Sequence, residues 1–151
     1  MEEKVMKAIH FRELLFRLVY SGFFEVKEAD FSQLILSCQE EMDTKVKEKD
    51  QERLLQAYQW ILERRYDIQY SYEAYLENWT FDRLTKVDGS LLLVAAYELS
   101  ERDDAPYAVV INEAIELAKK YGGEGSSKFI NGVLAGFVKG NGYAEETLSG
   151  D

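Results

Sequence analysis

Paired acids, one histidine and one cysteine are the side chains in this sequence that could do acid–base, nucleophilic or metal chemistry. Glu113 and Glu116 lie three residues apart, and His10 and Cys38 have no partner at metal-ligand spacing. General acid–base catalysis needs a pocket that perturbs a pKa, whereas paired acids in a chain of net charge −10 are mostly solvated. There is also no phosphate-binding glycine loop and no nucleophile elbow. We therefore expect no enzymatic activity, no cofactor and no metal site.

The first predicted helix offers a different chemistry, because its cations and aromatic rings are of the types that bind RNA. Lysine and arginine contact phosphate, and aromatic side chains stack on unpaired bases. The residues of these types are Lys4, Lys7, Arg12, Arg17, Tyr20 and Phe23. Amphipathic helices also carry lysine and arginine simply on their solvent face, and the acidic net charge opposes nonspecific nucleic-acid binding. The pattern alone leaves both interpretations open.

The composition indicates an all-α fold in one domain. The chain has 151 residues, of which 46% are hydrophobic, and only one proline. It is long enough to bury a core without disulfides, and it shows no strand-type alternation. Residues 1–139 are expected to form the domain, and residues 140–151 a flexible tail. No apolar run is long enough to span a bilayer and no signal peptide is evident, which predicts a cytoplasmic protein without membrane contact.

The spacing of apolar residues predicts a compact bundle of about seven helices. The first is expected to end at Ser21-Gly22, and the second to be capped by Asp30. The longest should start near Gln51. The predicted segments are residues 3–20, 31–42, 51–76, a turn or short helix at 78–84 pinned by Trp79, 91–100, 107–121 and 126–138.

The last two predicted helices carry the clearest signals. The first of them follows Pro106, has lysines in its last turn and should close at Gly122. The second contains Asn131-Gly132 in its interior. Glycine costs about 1 kcal/mol relative to alanine in a helix, so Gly132 is expected to mark a tight helix crossing and Asn131 to satisfy a buried polar partner.

Residues 78–134 resemble the NusB family of bacterial transcription antitermination factors. The matching pieces are Asn78-Trp-Thr-Phe-Asp-Arg-Leu84, Val87-Asp88, Ala95-Ala-Tyr-Glu-Leu99, Pro106, Val110-Ile-Asn-Glu-Ala-Ile-Glu-Leu-Ala-Lys-Lys-Tyr-Gly122 and Lys128-Phe-Ile-Asn-Gly-Val-Leu134. The first helix fits in outline through Arg12-Glu13 and Leu18-Val-Tyr20, and residues 24–77 match only in pattern.

The resemblance implies two small helical subdomains and binding to the single-stranded BoxA element of nascent RNA. It also implies a protein partner, the ribosomal protein NusE, within an RNA polymerase antitermination complex that supports ribosomal RNA transcription. The RNA-binding residues expected from the first helix and from the family are Lys4, Lys7, His10, Arg12, Tyr20, Tyr121, Lys128 and Phe129. Asp82 and Asp88 are expected on the NusE-facing side, since a ribosomal protein is usually basic.

The sequence departs from the family in its basic residues. Relatives carry a run of arginines just before Arg12, where this chain has Ala8-Ile9-His10. Each lost phosphate contact lowers both the affinity and its salt dependence. We therefore expect weak BoxA binding by the chain alone and useful binding only together with NusE.

Three other readings remain at this point. A similar helical domain precedes the catalytic domain of some rRNA cytosine methyltransferases, although no strand–glycine motif for a methyl-donor cofactor follows here, which favours the stand-alone factor. The chain could also be a protein-interaction module that has lost RNA binding. Finally, an aromatic-rich bundle can present a homodimer face as readily as a NusE face.

Overall fold

The computed structural model describes residues 6–24, 31–77, 79–101 and 106–141. Within them there are six α-helices, one 3-10 turn and no strand. The helices are α1 (Ala8–Phe24), α2 (Phe31–Met42), α3 (Glu48–Glu73), α4 (Lys86–Glu101), α5 (Tyr107–Tyr121) and α6 (Ser126–Gly140), and the 3-10 turn is Phe81–Arg83. The predicted all-α class is confirmed, with six helices in place of about seven. The chain divides into two compact units, Met1–Glu63 and Arg64–Asp151.

The first unit contains α1, α2 and the first part of α3. Its core is a set of fully buried aliphatic side chains, namely Leu14, Leu15, Leu18, Val19, Ile35, Leu54 and Ile61. Polar contacts tie the helices at their edges, because Arg17 forms an ion pair with Glu41 and the Arg53 guanidinium lies 4.5 Å from the centroid of the Phe11 ring. This unit therefore combines an aliphatic core with paired arginines around it.

The predicted end of the first helix was wrong. Helix α1 continues through Ser21 and Gly22 to Phe24. A methyl group added at Gly22 would lie 2.9 Å from Tyr58 Cζ, so the missing side chain lets α1 approach the Tyr58 ring of α3. Gly22 thus serves a close contact and not a helix stop. The expected cap at Asp30 lies outside the described residues.

The second unit contains the end of α3, the 3-10 turn and α4 to α6. Helix α5 packs against both α4 and α6. Tyr72, fully buried near the end of α3, joins these parts: its hydroxyl donates to the Leu92 carbonyl at 2.7 Å, and its ring lies 4.6 Å from Phe137 and 6.4 Å from Phe81 between centroids. One aromatic side chain therefore contacts the 3-10 turn, α4 and α6.

The position of Trp79 and the start of α4 differ from the sequence predictions. Trp79 does not pin the 78–84 segment, since 55% of it is exposed; Phe81 is buried instead, and its N–H donates to Glu73 Oε2 at 2.9 Å. Helix α4 begins at Lys86, five residues early, because Thr85 Oγ1 accepts the Asp88 N–H at 3.1 Å and so caps the helix. The end of α5 at Gly122 is confirmed.

The predicted tight crossing at Gly132 was also wrong. No atom lies within 4 Å of a methyl group added there, and Asn131 is exposed. The close approach occurs at Gly136, one turn later, where an added methyl would lie 3.2 Å from Tyr75 Cδ1, and again at Gly140. The sequence shows which positions of a helix are glycine, but it does not show which of these glycines faces a neighbouring element.

We expect Gly132→Ala to stabilise the protein, since alanine gains up to about 1 kcal/mol of helix propensity over glycine in open space. For a chain of this size that corresponds to a rise of roughly 2–4 °C in Tm. Gly136→Ala is the matched control, and its gain should be cancelled by the contact with Tyr75. Thermal unfolding of both variants by circular dichroism measures the difference. A lower Tm for Gly132→Ala than for Gly136→Ala would contradict this placement of the close contact.

Candidate functional site

The second unit contains a groove of about 680 Å³ that is open to solvent. It lies where the turn that follows α3, the 3-10 turn, the start of α4, the α5–α6 turn and α6 come together. Its lining is Tyr75, Leu76, Glu77, Trp79, Arg83, Leu84, Thr85, Asp88, Gly123, Glu124, Gly125, Ser126, Lys128, Phe129, Gly132 and Val133. We refer to this surface as the groove.

The groove combines aromatic rings with charges of both signs. Trp79 is exposed at its edge, and the Arg83 guanidinium lies 5.5 Å from the centroid of the indole ring. Lys128 is exposed and Phe129 is half-buried on α6, and the acids Glu77 and Glu124 are exposed. Aromatic rings beside cations can stack on bases or hold an arginine of a protein partner, and acids attract basic chains. The groove therefore offers side chains of the types that can contact a base or a basic protein segment.

Asp88 holds two walls of the groove together. It is only 9% exposed, and its carboxylate accepts a hydrogen bond from the Ser126 hydroxyl. This bond ties the first turn of α4 to the first turn of α6. Asp82, by contrast, is exposed and accepts a hydrogen bond from the Thr80 hydroxyl. Of the two acids predicted to face a protein partner, Asp82 lies at the surface and Asp88 shapes the groove.

The α5–α6 turn presents Lys128 and Phe129. It is built from glycines, of which Gly125 has φ +85°, a left-handed conformation that L side chains rarely adopt. The Ser126 N–H donates to the Gly123 carbonyl at 3.1 Å, and the Phe129 N–H donates to the Gly125 carbonyl at 3.0 Å. These bonds fix the backbone at the start of α6, so the side chains of Lys128 and Phe129 project from a well-defined position.

Gly122→Ala is expected to disrupt this corner. The added methyl would lie 2.6 Å from Ser126 Cβ and 2.7 Å from the Ala118 carbonyl oxygen, and the backbone atom cannot rotate away. Overpacking of this kind costs about 1–3 kcal/mol. Gly123→Ala is the control, because nothing lies within 4 Å of a methyl added there. Urea unfolding should show a loss for Gly122→Ala alone; equal midpoints for the two variants would contradict the tight corner.

The predicted RNA-binding residues fall on both units. Lys7 and His10 on or just before α1 are exposed, whereas Arg12 is only 4% exposed and already engaged in contacts. Tyr20 is half-buried, with its ring centroid 6.3 Å from that of Phe16. Lys4 lies outside the described residues. Of the predicted RNA-binding residues in the first unit, the structure therefore exposes Lys7, just before α1, and His10 on α1.

In the second unit the structure brings part of the predicted set together. Lys128 and Phe129 line the groove with Asp88, while Tyr121 is half-buried outside the lining, with the Lys120 ammonium 5.3 Å from its ring centroid. Sequence reasoning missed Trp79 and Arg83 as site residues. The signal available in the sequence was the pairing of a tryptophan with an arginine four residues later in a short segment between two predicted helices.

Metal-ligating and nucleophilic side chains also occur elsewhere in the part of the chain that the structure describes. No three His, Cys, Asp or Glu side chains there are grouped to hold a metal ion. Cys38 is buried on α2, and burial raises the pKa of its thiol, although the Arg17 charge acts in the opposite direction. Nor is any helix in these ranges long and apolar enough to cross a membrane.

Comparison with known proteins places this geometry in a family. The model of the NusB family matches residues 10–139. The transcription antitermination protein NusB of Acetivibrio thermocellus is 37% identical over 128 residues, which cover 85% of this chain and 86% of that protein. The NusB of Clostridium novyi is 33% identical over 128 residues, which cover 85% of this chain and 95% of that protein.

Solved structures agree in fold. T. maritima NusB superposes with a TM-score of 0.77 at 32% identity, covering 90% of this chain and 93% of that one. A structure of the antitermination factors NusB and NusE in complex with dsRNA gives a TM-score of 0.70 at 23% identity, covering 87% and 96%, and shows likeness of fold. The family match over most of the chain, together with these relatives, shows that this chain belongs to the NusB family of transcription antitermination proteins.

Proposed function

We propose that this chain is a non-enzymatic antitermination factor that binds BoxA-type single-stranded RNA of nascent transcripts together with the ribosomal protein NusE. In this role it joins an RNA polymerase antitermination complex and supports ribosomal RNA transcription. The observation that carries the proposal is the groove. Its lining combines Lys128 and Phe129 with Trp79, Arg83 and exposed acids. The fold shared with a NusB that was solved in complex with NusE and dsRNA supports it.

The charge of the chain favours a shared complex over binding of RNA by the chain alone. Its net charge of −10 repels phosphate at long range. A basic partner seated beside the groove would supply the missing positive charge and would itself be steered by exposed acids such as Glu77, Glu124 and Asp82. RNA binding is then expected to be strong only when both proteins are present.

Within that complex the exposed predicted residues take the direct contacts. We assign contacts with the RNA backbone to Lys7 and His10, at the start of α1. On α6, we assign a phosphate contact to Lys128 and stacking on a base to Phe129. Arg12, being buried, is assigned to holding α1 in place with at most an edge of its guanidinium reaching the RNA. Tyr20 and Tyr121 are half-buried and would contact RNA through their hydroxyl ends.

Size-exclusion chromatography of the reconstituted mixture tests the proposal. The chain, NusE and a labelled BoxA RNA should co-elute as one species, and a scrambled RNA of equal length should stay behind. A chain that binds NusE but leaves BoxA RNA in the free fraction would be a protein-interaction module without RNA binding. Elution of the chain alone as a dimer that NusE does not dissociate would favour a homodimer face over a NusE face.

A further inference from the structure

Three lysines fall within five residues at Lys45, Lys47 and Lys49, and nowhere else in the sequence are lysines so dense. We call these three residues the lysine strip. They occupy the connection between α2 and α3 and the first turn of α3. All three side chains are exposed. The strip brings three ammonium groups together in an acidic chain, where they alternate with Asp43, Glu48 and Asp50.

The backbone that carries the strip is held in place from both sides. Val46, between the first two lysines, is buried, and its N–H donates to Gln39 Oε1 of α2 at 2.5 Å. Its carbonyl accepts a hydrogen bond from Gln51 Nε2 of α3 at 3.1 Å. Because Val46 is fixed inside, the flanking lysines are displayed outside. A prearranged backbone reduces the ordering cost of any ligand that contacts them.

The acids nearest the strip are partly neutralised already. Glu41 pairs with Arg17, and Asp50 pairs with Arg53 at 2.9 Å. Asp43 and Glu48 remain exposed beside the lysines. Within the described ranges, no lysine of the strip lies in an ion pair with any acid. The strip therefore presents ammonium groups that remain available to an anionic partner.

We propose that the lysine strip is a second phosphate-contact surface, which holds the RNA backbone outside the BoxA element and without sequence preference. The inference rests on the proposed function, which brings RNA to this chain. RNA fits better than an acidic protein, because lysine is depleted in the cores of protein interfaces, whereas its mobile point charge suits phosphate contacts that carry no sequence information.

The test compares two double variants of equal charge change. Lys45→Ala/Lys47→Ala removes part of the strip, and Lys119→Ala/Lys139→Ala removes two exposed lysines of the second unit. Each variant is assembled with NusE and titrated with two RNAs, a minimal BoxA oligonucleotide and the same element flanked by unrelated single-stranded sequence. A salt series gives the slope of log Kobs against log salt concentration.

On the flanked RNA, the strip variant should bind more weakly than wild type, with a slope shallower by about 1.4, roughly 0.7 for each of two lost single-strand contacts. The affinity of the strip variant for minimal BoxA RNA should match that of wild type, apart from the effect of net charge that both variants share. The control variant should match wild type in the same way on both RNAs. Lys45→Arg/Lys47→Arg should restore the slope, and matching Tm values exclude a folding defect.

Equal affinity and equal slope for the strip and control variants on the flanked RNA would overturn the inference while leaving the proposed function intact. A strip variant that loses affinity for NusE in the absence of RNA would also overturn it, in favour of an acidic protein surface. If wild-type chain with NusE fails to bind either RNA, the proposed function itself fails, and the inference fails with it.

Discussion

Tyr72→Ala is expected to lower the free energy of unfolding by about 3–5 kcal/mol, the range for removing a large buried aromatic side chain. Tyr72 is fully buried, and its ring packs between Phe81 and Phe137. Its hydroxyl donates to the Leu92 carbonyl. Truncation leaves a cavity where the 3-10 turn, α4 and α6 meet, so the loss should affect the unit that carries the groove.

Tyr70→Ala is the matched control, two residues away on the same helix with 80% of the side chain exposed. Its effect should stay within about 0.5 kcal/mol. Tyr72→Phe keeps the ring and removes only the hydroxyl, so its loss should be near 1 kcal/mol. Urea unfolding followed by far-ultraviolet circular dichroism ranks the three variants. Equal midpoints for Tyr70→Ala and Tyr72→Ala would mean that Tyr72 does not join the elements of the second unit.

Trp79→Ala is expected to weaken assembly of the chain with NusE and BoxA RNA by about thirtyfold, which corresponds to roughly 2 kcal/mol for an interface hot spot. The indole is exposed at the edge of the groove and lies under the Arg83 guanidinium. Because so much of the ring faces solvent, the Tm should change little. The expected phenotype is thus a loss of binding without a loss of fold.

Tyr66→Ala provides the control for this variant. Tyr66 is also an exposed aromatic ring with an arginine beside it, since the Arg65 guanidinium lies 4.7 Å from its ring centroid, but it does not line the groove. Fluorescence titration of the assembled complex should separate the two variants clearly. Equal affinities for Trp79→Ala and Tyr66→Ala would show that the groove is not the binding surface.

The features that were predicted correctly from the sequence are helix ends that depend on local residues. Gly122 ends α5 and Ser126 begins α6 as expected, because caps and turns depend on a few adjacent residues. The faces of the helices were harder to predict. Gly132 was predicted to mark a tight crossing, but the glycines that approach a neighbour are Gly136 and Gly140, which meet Tyr75. The position of Tyr75 depends on how the turn after α3 packs, and the spacing of residues in a helix does not encode that.

The candidate site was predictable in part through the family resemblance. Lys128, Phe129 and Asp88 were expected as site residues from that resemblance, and the structure places all three in one groove. Trp79 was predicted to pin the 78–84 segment, yet Phe81 is the buried residue there and the indole stays exposed. Arg12 and Asp88 are charged, which led us to expect exposed side chains, but both are buried. Their burial depends on tertiary contacts that the sequence does not show.

We propose that this NusB-family chain reads BoxA RNA as part of a complex with NusE and not on its own. Fluorescence anisotropy of labelled BoxA RNA, titrated with the chain alone and with the chain plus saturating NusE, tests it directly. We expect weak binding by the chain alone and tight, salt-sensitive binding with NusE, while NusE without the chain should not reach the same affinity. Tight and steeply salt-dependent binding by the chain alone would contradict it.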